Sequence, residues 1–335
     1  MSEAAILVED LHKRFGDLAA LDGVDFQVPH ATVFGLLGPN GAGKTTAVRI
    51  LSTILPADGG RAEVLGHDVR RDADAVRLSI GLAGQSAAVD PNLTGRENLR
   101  LIGLLAQLPR PVILPRASEL LDRFDLTEAA DRPLRTYSGG MRRRLDVAAA
   151  LVPKPPVLFL DEPTTGLDLQ SRNALWEMIR DLVADGTTVL LTTQYLEEAD
   201  RLAERVAVID GGHVIANDSP KALKAELGST VIEMEFSDAE RAERAESLLP
   251  KVPDAHPERE GSTVRISSED GSRLLMEALR LLDTEDLAPA KLNVREPSLD
   301  DVFLALTGHR AEAAEIATES EDAPQDGARS NRGAA

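Results

Sequence analysis

Residues 38–46 read Gly-Pro-Asn-Gly-Ala-Gly-Lys-Thr-Thr, a G-x-x-x-x-G-K-[ST] loop with no departure from the pattern. The chemistry such a loop performs is phosphate binding. Gly38, Gly41 and Gly43 let the backbone approach phosphate oxygens and adopt positive φ. Backbone N–H groups around Asn40 and Ala42, with the N-terminus of a following helix, form an anion nest. Lys44 would reach the β- and γ-phosphates and the Thr45 hydroxyl would ligate Mg2+. Pro39 and Thr46 complete the stretch.

Asp161 and Glu162 end a second apolar run, Val157–Leu160. Two adjacent carboxylates beside a core are costly without a cation or solvent. Taken alone, the pair is equally two solvated acids before a turn at Pro163. Taken with the loop, Asp161 holds Mg2+ directly or through water. Glu162 then orients and polarises the water that displaces the γ-phosphate.

These groups need a scaffold that ends strands beside one another. Val33–Leu37 runs straight into the loop, and Ala47–Leu55 follows with helical spacing. Thr188–Thr192 and Val206–Ile209 repeat the pattern of continuous apolar strands. Such strands, separated by helices, predict an α/β fold with a largely parallel sheet covered on both faces. Ile6–Val8 and Val24–Val28 predict an antiparallel flank.

The chain has 335 residues, no Cys and a formal charge of -19. Its length suggests two domains. The absence of Cys excludes disulfides, Cys-ligated metals and Cys nucleophiles. The acidic balance argues against gripping nucleic acid through bulk charge. That charge is uneven: -6 over residues 1–225, -10 over 226–308 and -3 over 309–335. No apolar run approaches the roughly 20 residues a membrane span needs. A boundary is expected near Gly228-Ser229, giving a nucleotide-binding part at 1–228 and an acidic accessory part at 229–308. The stretch 309–335 is expected to be a disordered tail.

With further motifs in order over residues 5–225, the sequence resembles the ATP-binding-cassette (ABC) transporter family. Tyr137-Ser138-Gly139-Gly140-Met141 resembles the family signature, and Gly166-Leu167-Asp168 its D-loop. Gln85 stands where the Q-loop glutamine belongs, and Phe15 where an aromatic stacks on adenine. The resemblance implies a P-loop NTPase cassette: a RecA-like core, an antiparallel β flank and a helical subdomain near 86–137 that touches a permease. It implies Mg2+ with ATP, Gln85 beside the metal, and a head-to-tail homodimer. In that dimer Ser138, Gly139, Gly140 and Met141 contact the γ-phosphate in trans, and Asp168 crosses to the partner's site. Ser138 and Asp168 also read as ordinary helix caps. The Arg142-Arg143-Arg144 run reads as a solvated or acid-paired helix face.

Gln194 stands where most cassettes have a histidine. It can donate to a phosphate oxygen but carries no charge. The string Gln194–Asp200 resembles the branch typified by the daunorubicin/doxorubicin exporters. Pro109, Pro111 and Pro115 predict an irregular linker, with the next helix near Ala117–Phe124. Beyond the boundary, strands at Val231–Phe236, Val252–His256, Thr263–Ile266 and Lys291–Val294 alternate with helices at Ala239–Leu249 and Ser272–Leu282. That order predicts a small α+β ferredoxin-like unit. The apolar face of Leu299, Val302, Phe303 and Leu306 predicts docking onto the core.

The sequence thus predicts an ATP-hydrolysing subunit of a membrane exporter, of drugs before other cargo. It would lie on the cytoplasmic face of the membrane beside a separately encoded permease. The alternative is a soluble, non-transport cassette ATPase acting on nucleic acid or the ribosome. One phosphate loop and no heptad run count against it.

Overall fold

Continuous apolar strands can be buried on both faces only if helices or another sheet cover each side. The chain achieves this in a computed structural model that describes residues 4–84, 89–226, 230–253, 255–268 and 271–306. Gln85 and the expected tail at 309–335 lie outside the described residues.

The first elements are β1 (Ala4–Phe15), β2 (Leu18–Pro29), β3 (Val33–Leu37), α1 (Lys44–Leu51), β4 (Gly59–Val64), β5 (His67–Asp68), α2 (Ala73–Ser79) and β6 (Ile80–Ala83). Then come α3 (Gly95–Leu105), α4 (Arg110–Arg123), α5 (Gly139–Ala150), β7 (Val157–Asp161), α6 (Leu169–Ala184), β8 (Thr188–Thr193) and α7 (Leu196–Leu202). The order β10-β9-β3-β8-β7-β6 forms the central sheet, with β9 at Arg205–Asp210 and β10 at His213–Asp218. All its pairs are parallel except β9 with β10. The flank is antiparallel, in the order β2-β1-β4-β5.

Alternation along β7 shows how both faces are used. Val157 and Phe159 enter the core shared with α1 and the flank. Leu158 and Leu160 enter the core built with α4, α5 and α6. Side chains on a strand alternate by geometry, so a fully apolar strand serves two cores.

The expected linker at Pro109–Pro115 is instead helical. α4 starts at Arg110, with Pro109 as its N-cap residue and Pro111 in its first turn. There a missing N–H costs nothing, because that group has no intrahelical acceptor. Pro115 stays inside the helix on its exposed side. Burial of Ile113, Ala117, Leu120 and Leu121 on the other side outweighs its lost hydrogen bond.

After α8 (Pro220–Glu226) the chain forms β11 (Thr230–Glu235), α9 (Ala239–Leu248), β12 (Glu258–Glu260), β13 (Thr263–Ser268), α10 (Gly271–Thr284) and β14 (Lys291–Arg295). The sheet order β12-β13-β11-β14, antiparallel throughout, is the split β-α-β arrangement of a ferredoxin-like unit. The strand expected at Val252–His256 is displaced to Glu258–Glu260. Leu249–Lys251 is a 3-10 turn that buries Leu249, and Val252 and Ala255 follow it into the core. The hairpin therefore turns at Gly261, whose φ of +61° suits glycine.

Residues 299–306 form a last helix, α11. Leu299 and Val302 are buried with Leu37, Ala199, Val206, Val208 and Leu223, and Phe303 and Leu306 pack against them. The expected docking is thus observed, and it ends on Leu37, the residue just before the phosphate loop. The other side of α11 carries Asp301, which accepts from both terminal nitrogens of Arg295 at 2.6 and 2.8 Å. Burial pushes the Asp301 carboxyl up, yet Arg295 and the Ser298 donors hold it below the usual carboxylate range. Arg295 in turn bonds Glu233 of β11 at 2.8 Å. Among the described residues, no helix is long and apolar enough to cross a membrane.

Val302→Asp should place an unpaired charge in this contact and cost about 2–5 kcal/mol. Thermal unfolding should show a clearly lowered midpoint, whereas Ile54→Asp, at an exposed position, should stay within about 0.5 kcal/mol of the parent.

Candidate nucleotide-binding site

The phosphate loop joins β3 to α1, as the sequence implies. Gly38, Gly41 and Gly43 have φ of +148°, +85° and +112°. A Cβ on Gly38 would collide with the carbonyl of Ile209, and one on Gly43 with the carbonyl of Ala20. Two of the three glycines are therefore required by close packing as well as by backbone conformation.

Lys44 is buried, and its ammonium donates to the carbonyls of Gly38 at 2.7 Å and Pro39 at 2.9 Å. Burial lowers its pKa, while the carboxylates of Glu162 and Asp161 oppose the fall. Thr45 stands in the first turn of α1, and its hydroxyl donates to Asp161 Oδ1 at 3.2 Å. Thr192, at the end of β8, donates to the same oxygen at 2.5 Å. Asp161 is thereby fixed between the loop helix and a neighbouring strand. Nothing in the sequence reading singled out Thr192. Its signal was a hydroxyl at a strand end, in register with Asp161.

Glu162 follows directly, with φ of +49°. A left-handed conformation is uncommon for a non-glycine residue and costs about 1–3 kcal/mol. Its N–H is satisfied by the Thr192 carbonyl and hydroxyl, each at 3.1 Å. The turn swings the carboxylate out of the sheet. A cavity of about 310 Å3 is lined by Phe15, Leu18, Ala20, Asn40–Thr46 and Glu162.

That cavity unites residues from the first and the middle parts of the chain. Phe15 is half-exposed at the β1–β2 hairpin, with Lys13 Nζ 5.6 Å from its ring. Leu18 and Ala20 extend the same apolar rim, and the sequence reading missed them. Their position at the start of a strand paired with Phe15 was the available signal. Gln194 follows β8 and is partly buried. Four residues further on, the buried Glu198 of α7 accepts from the Trp176 indole of α6 at 3.1 Å, and burial raises its pKa.

The signature residues lie apart from this cavity. Ser138 is the N-cap residue of α5 and accepts from the Met141 N–H at 3.2 Å. Ser138 and Gly139 are exposed, and Gly140 packs on Ser171 so closely that a Cβ would clash. Asp168 caps α6, accepting from the Ser171 N–H at 2.8 Å. That bond holds its carboxyl below the usual range. Both residues are therefore helix caps. A second cavity of about 480 Å3 lies between Gly139, Arg142, Asp146 and the Thr165–Leu167 turn, and Glu162 lines it too.

The arginine triplet is more than a surface stripe. Arg144 reaches the Phe124 carbonyl and Asp125 at 3.0 and 3.2 Å. Arg143 turns inward toward β7. Only Arg142, which donates to the Tyr137 and Arg135 carbonyls, stays near the outer turn.

Residues 21–165 match the sequence profile of the family described as ABC transporter. The chain is 53% identical over 317 residues to the daunorubicin resistance ATP-binding protein DrrA2 of Streptomyces coeruleorubidus, covering 94% of this chain and 98% of that one. It is 40% identical over 308 residues to the Nod factor export ATP-binding protein I of Ralstonia nicotianae, covering 92% and 95%. Among solved structures it is similar to cbiO1 from Clostridium perfringens, part of the ABC transporter complex cbiONQ. The TM-score there is 0.62 at 25% identity, over 75% of this chain and 98% of that one.

Gly43→Ala should lower ATP affinity by about tenfold or more, because the loop must shift off Ala20. Gly41→Ala, with open space around its Cβ, should lose distinctly less. Titration with a fluorescent ATP analogue separates the two.

Proposed function

The chain belongs to the ABC transporter family, as an ATP-binding and ATP-hydrolysing exporter subunit, and on that premise we propose how its residues do the work. ATP-binding subunits of ABC exporters work with a membrane permease and as dimers. Here we assign a homodimer on the cytoplasmic face of the membrane, driving a separately encoded permease. The observation that carries the nucleotide-binding part of this reading is the cavity in which Lys44, Thr45, Phe15 and Glu162 converge.

The loop N–H groups and Lys44 would bind the phosphates, while Phe15 and Leu18 present an apolar surface to the base. Thr45 Oγ1 and Asp161 Oδ1 lie 3.2 Å apart. Among the described residues no cluster of three or more His, Asp or Glu side chains could hold a metal. Two hard oxygen donors without a protein cage suit Mg2+, which keeps its waters and shares phosphate ligands. Bound there, Mg2+ supplies charge neutralisation for the phosphates. Gln85, the third expected ligand, lies outside the described residues. Glu162 then orients and polarises the attacking water, its carboxylate facing the loop from a turn that Thr192 fixes. Gln194 contributes a neutral donor beside the phosphate.

The separation of Ser138–Met141 from the loop cavity supports completion of the site by a second copy. The N-terminus of α5 and the exposed Ser138 hydroxyl offer that copy's ATP a second anion site. ATP then closes the dimer and hydrolysis reopens it. The division at residue 228 makes 229–308 an accessory unit that steadies the cassette through α11. For cargo, the relatives named for daunorubicin resistance favour a drug, and a lipid or glycoconjugate is the second choice.

Glu162→Gln should cut kcat by about 10^2-fold or more while ATP binding is retained. An unchanged steady-state rate would remove Glu162 from the chemistry. Ser138→Ala and Lys44→Ala chains should each be nearly inactive alone. When mixed, heterodimers carry one intact site and phosphate release should partly return. No recovery would argue against a site completed in trans.

A further inference from the structure

Arg143 lies on α5, the helix that begins with the signature turn, yet its side chain is only 14% exposed. Its guanidinium spreads over three separate segments. Nε donates to the Pro163 carbonyl at 2.8 Å, and Nη2 to the Asp161 carbonyl at 3.0 Å. Nη1 donates to the Gly84 carbonyl at 2.6 Å, and also to Asp146 Oδ2 at 3.1 Å. Asp161 and Pro163 are the two neighbours of Glu162. Gly84 immediately precedes Gln85 in the chain.

The geometry gives these bonds a specific target. Glu162 is left-handed at +49°, a conformation that persists only where its surroundings over-determine it. Thr192 holds the N–H of Glu162 from one side. Arg143 holds the carbonyls before and after it from the other. Together they fix the peptide plane that leads into Glu162, and the bond to the Pro163 carbonyl anchors the chain one peptide beyond the plane that leaves it. A planar, permanently charged fork suits three diverging carbonyls, whereas an ammonium on a flexible stem is a point charge.

We propose that Arg143 is a positioning residue for ATP hydrolysis: it clamps the turn at Glu162 and makes the direction of that carboxylate depend on where α5 lies. Since α5 also carries Ser138–Met141, the clamp links signature docking to the placement of the water-orienting group. This rests on the reading of Glu162 given above.

The test uses the full chain with MgATP. Single-turnover hydrolysis and nucleotide affinity are measured for Arg143→Ala, Arg143→Lys, Glu162→Gln and the Arg143→Ala/Glu162→Gln double variant. Both single Arg143 variants should lose about 10- to 100-fold in hydrolysis rate, the scale of a displaced catalytic group, with ATP affinity within about twofold. Millimolar guanidinium should restore part of the activity of Arg143→Ala. In the Glu162→Gln background, Arg143→Ala should cause little further loss, because coupled groups are non-additive. The proposal is overturned by an unchanged rate in Arg143→Lys, by affinity falling in step with rate, or by an equal further loss in the double variant. Should Arg143→Ala fail to fold, Arg143→Lys keeps the charge and carries the test. A wild-type rate for Glu162→Gln would instead dismiss the base assignment. An inactive Glu162→Gln beside a fully active Arg143→Lys would dismiss the clamp alone.

Discussion

One carboxylate oxygen joins the parts of this site. Asp161 Oδ1 accepts from Thr45 of the loop helix and from Thr192 of the adjacent strand. A buried carboxylate needs such partners, because desolvation without them costs several kcal/mol. The two hydroxyls therefore fix where α1 stands relative to β7 and β8. The phosphate loop, the turn at Glu162 and the segment at Gln194 that follows β8 all branch from that junction. In the proposed reading, the two oxygens assigned to a metal carried with the triphosphate are the ones this junction already holds in place.

Around this junction the molecule places charge sparingly. Lys44 and Arg143 are both turned inward onto backbone carbonyls, and burial lowers the pKa of each. For Arg143, the carboxylates of Asp146 and Asp161 oppose the fall, and arginine remains charged in any case. Held cations beside the phosphate loop and the N-terminus of α1 form a local positive field in a chain of net charge -19. Bulk charge therefore says little about this ligand, since a nest and one lysine act over a few ångströms. Much of the acidity resides instead in the ferredoxin-like unit, where Glu233, Arg265, Arg295 and Asp301 form an ion network beneath α11. That network and the apolar side of α11 hold the unit against the strand that delivers the loop.

Much of this was legible from local chemistry. The loop, the Asp161-Glu162 pair and the apolar strands are short-range patterns, since glycine conformation and strand alternation act over a few residues. Where local rules compete with packing, reading residue by residue goes astray. Pro115 forbids one helical bond, but four buried side chains across the helix outweigh it. The strand at Glu258–Glu260 displaced the one expected at Val252–His256 because Leu249, Val252 and Ala255 were needed in the core. Leu18 and Thr192 joined the site through register with Phe15 and Asp161, and register is a property of paired strands.

The sequence by itself determined the phosphate-binding loop, the family and the kind of chemistry, because each follows from residue types at fixed spacing. Only the tertiary structure decided which arginine of the triplet turns inward. It alone brought Thr192 to Asp161, and it alone set Glu162 in a left-handed turn. Those outcomes depend on contacts between residues 18 to 59 positions apart in the chain. The physical reason is that a hydrogen bond's value depends on what else is buried with it, and burial is settled only when the whole chain has packed.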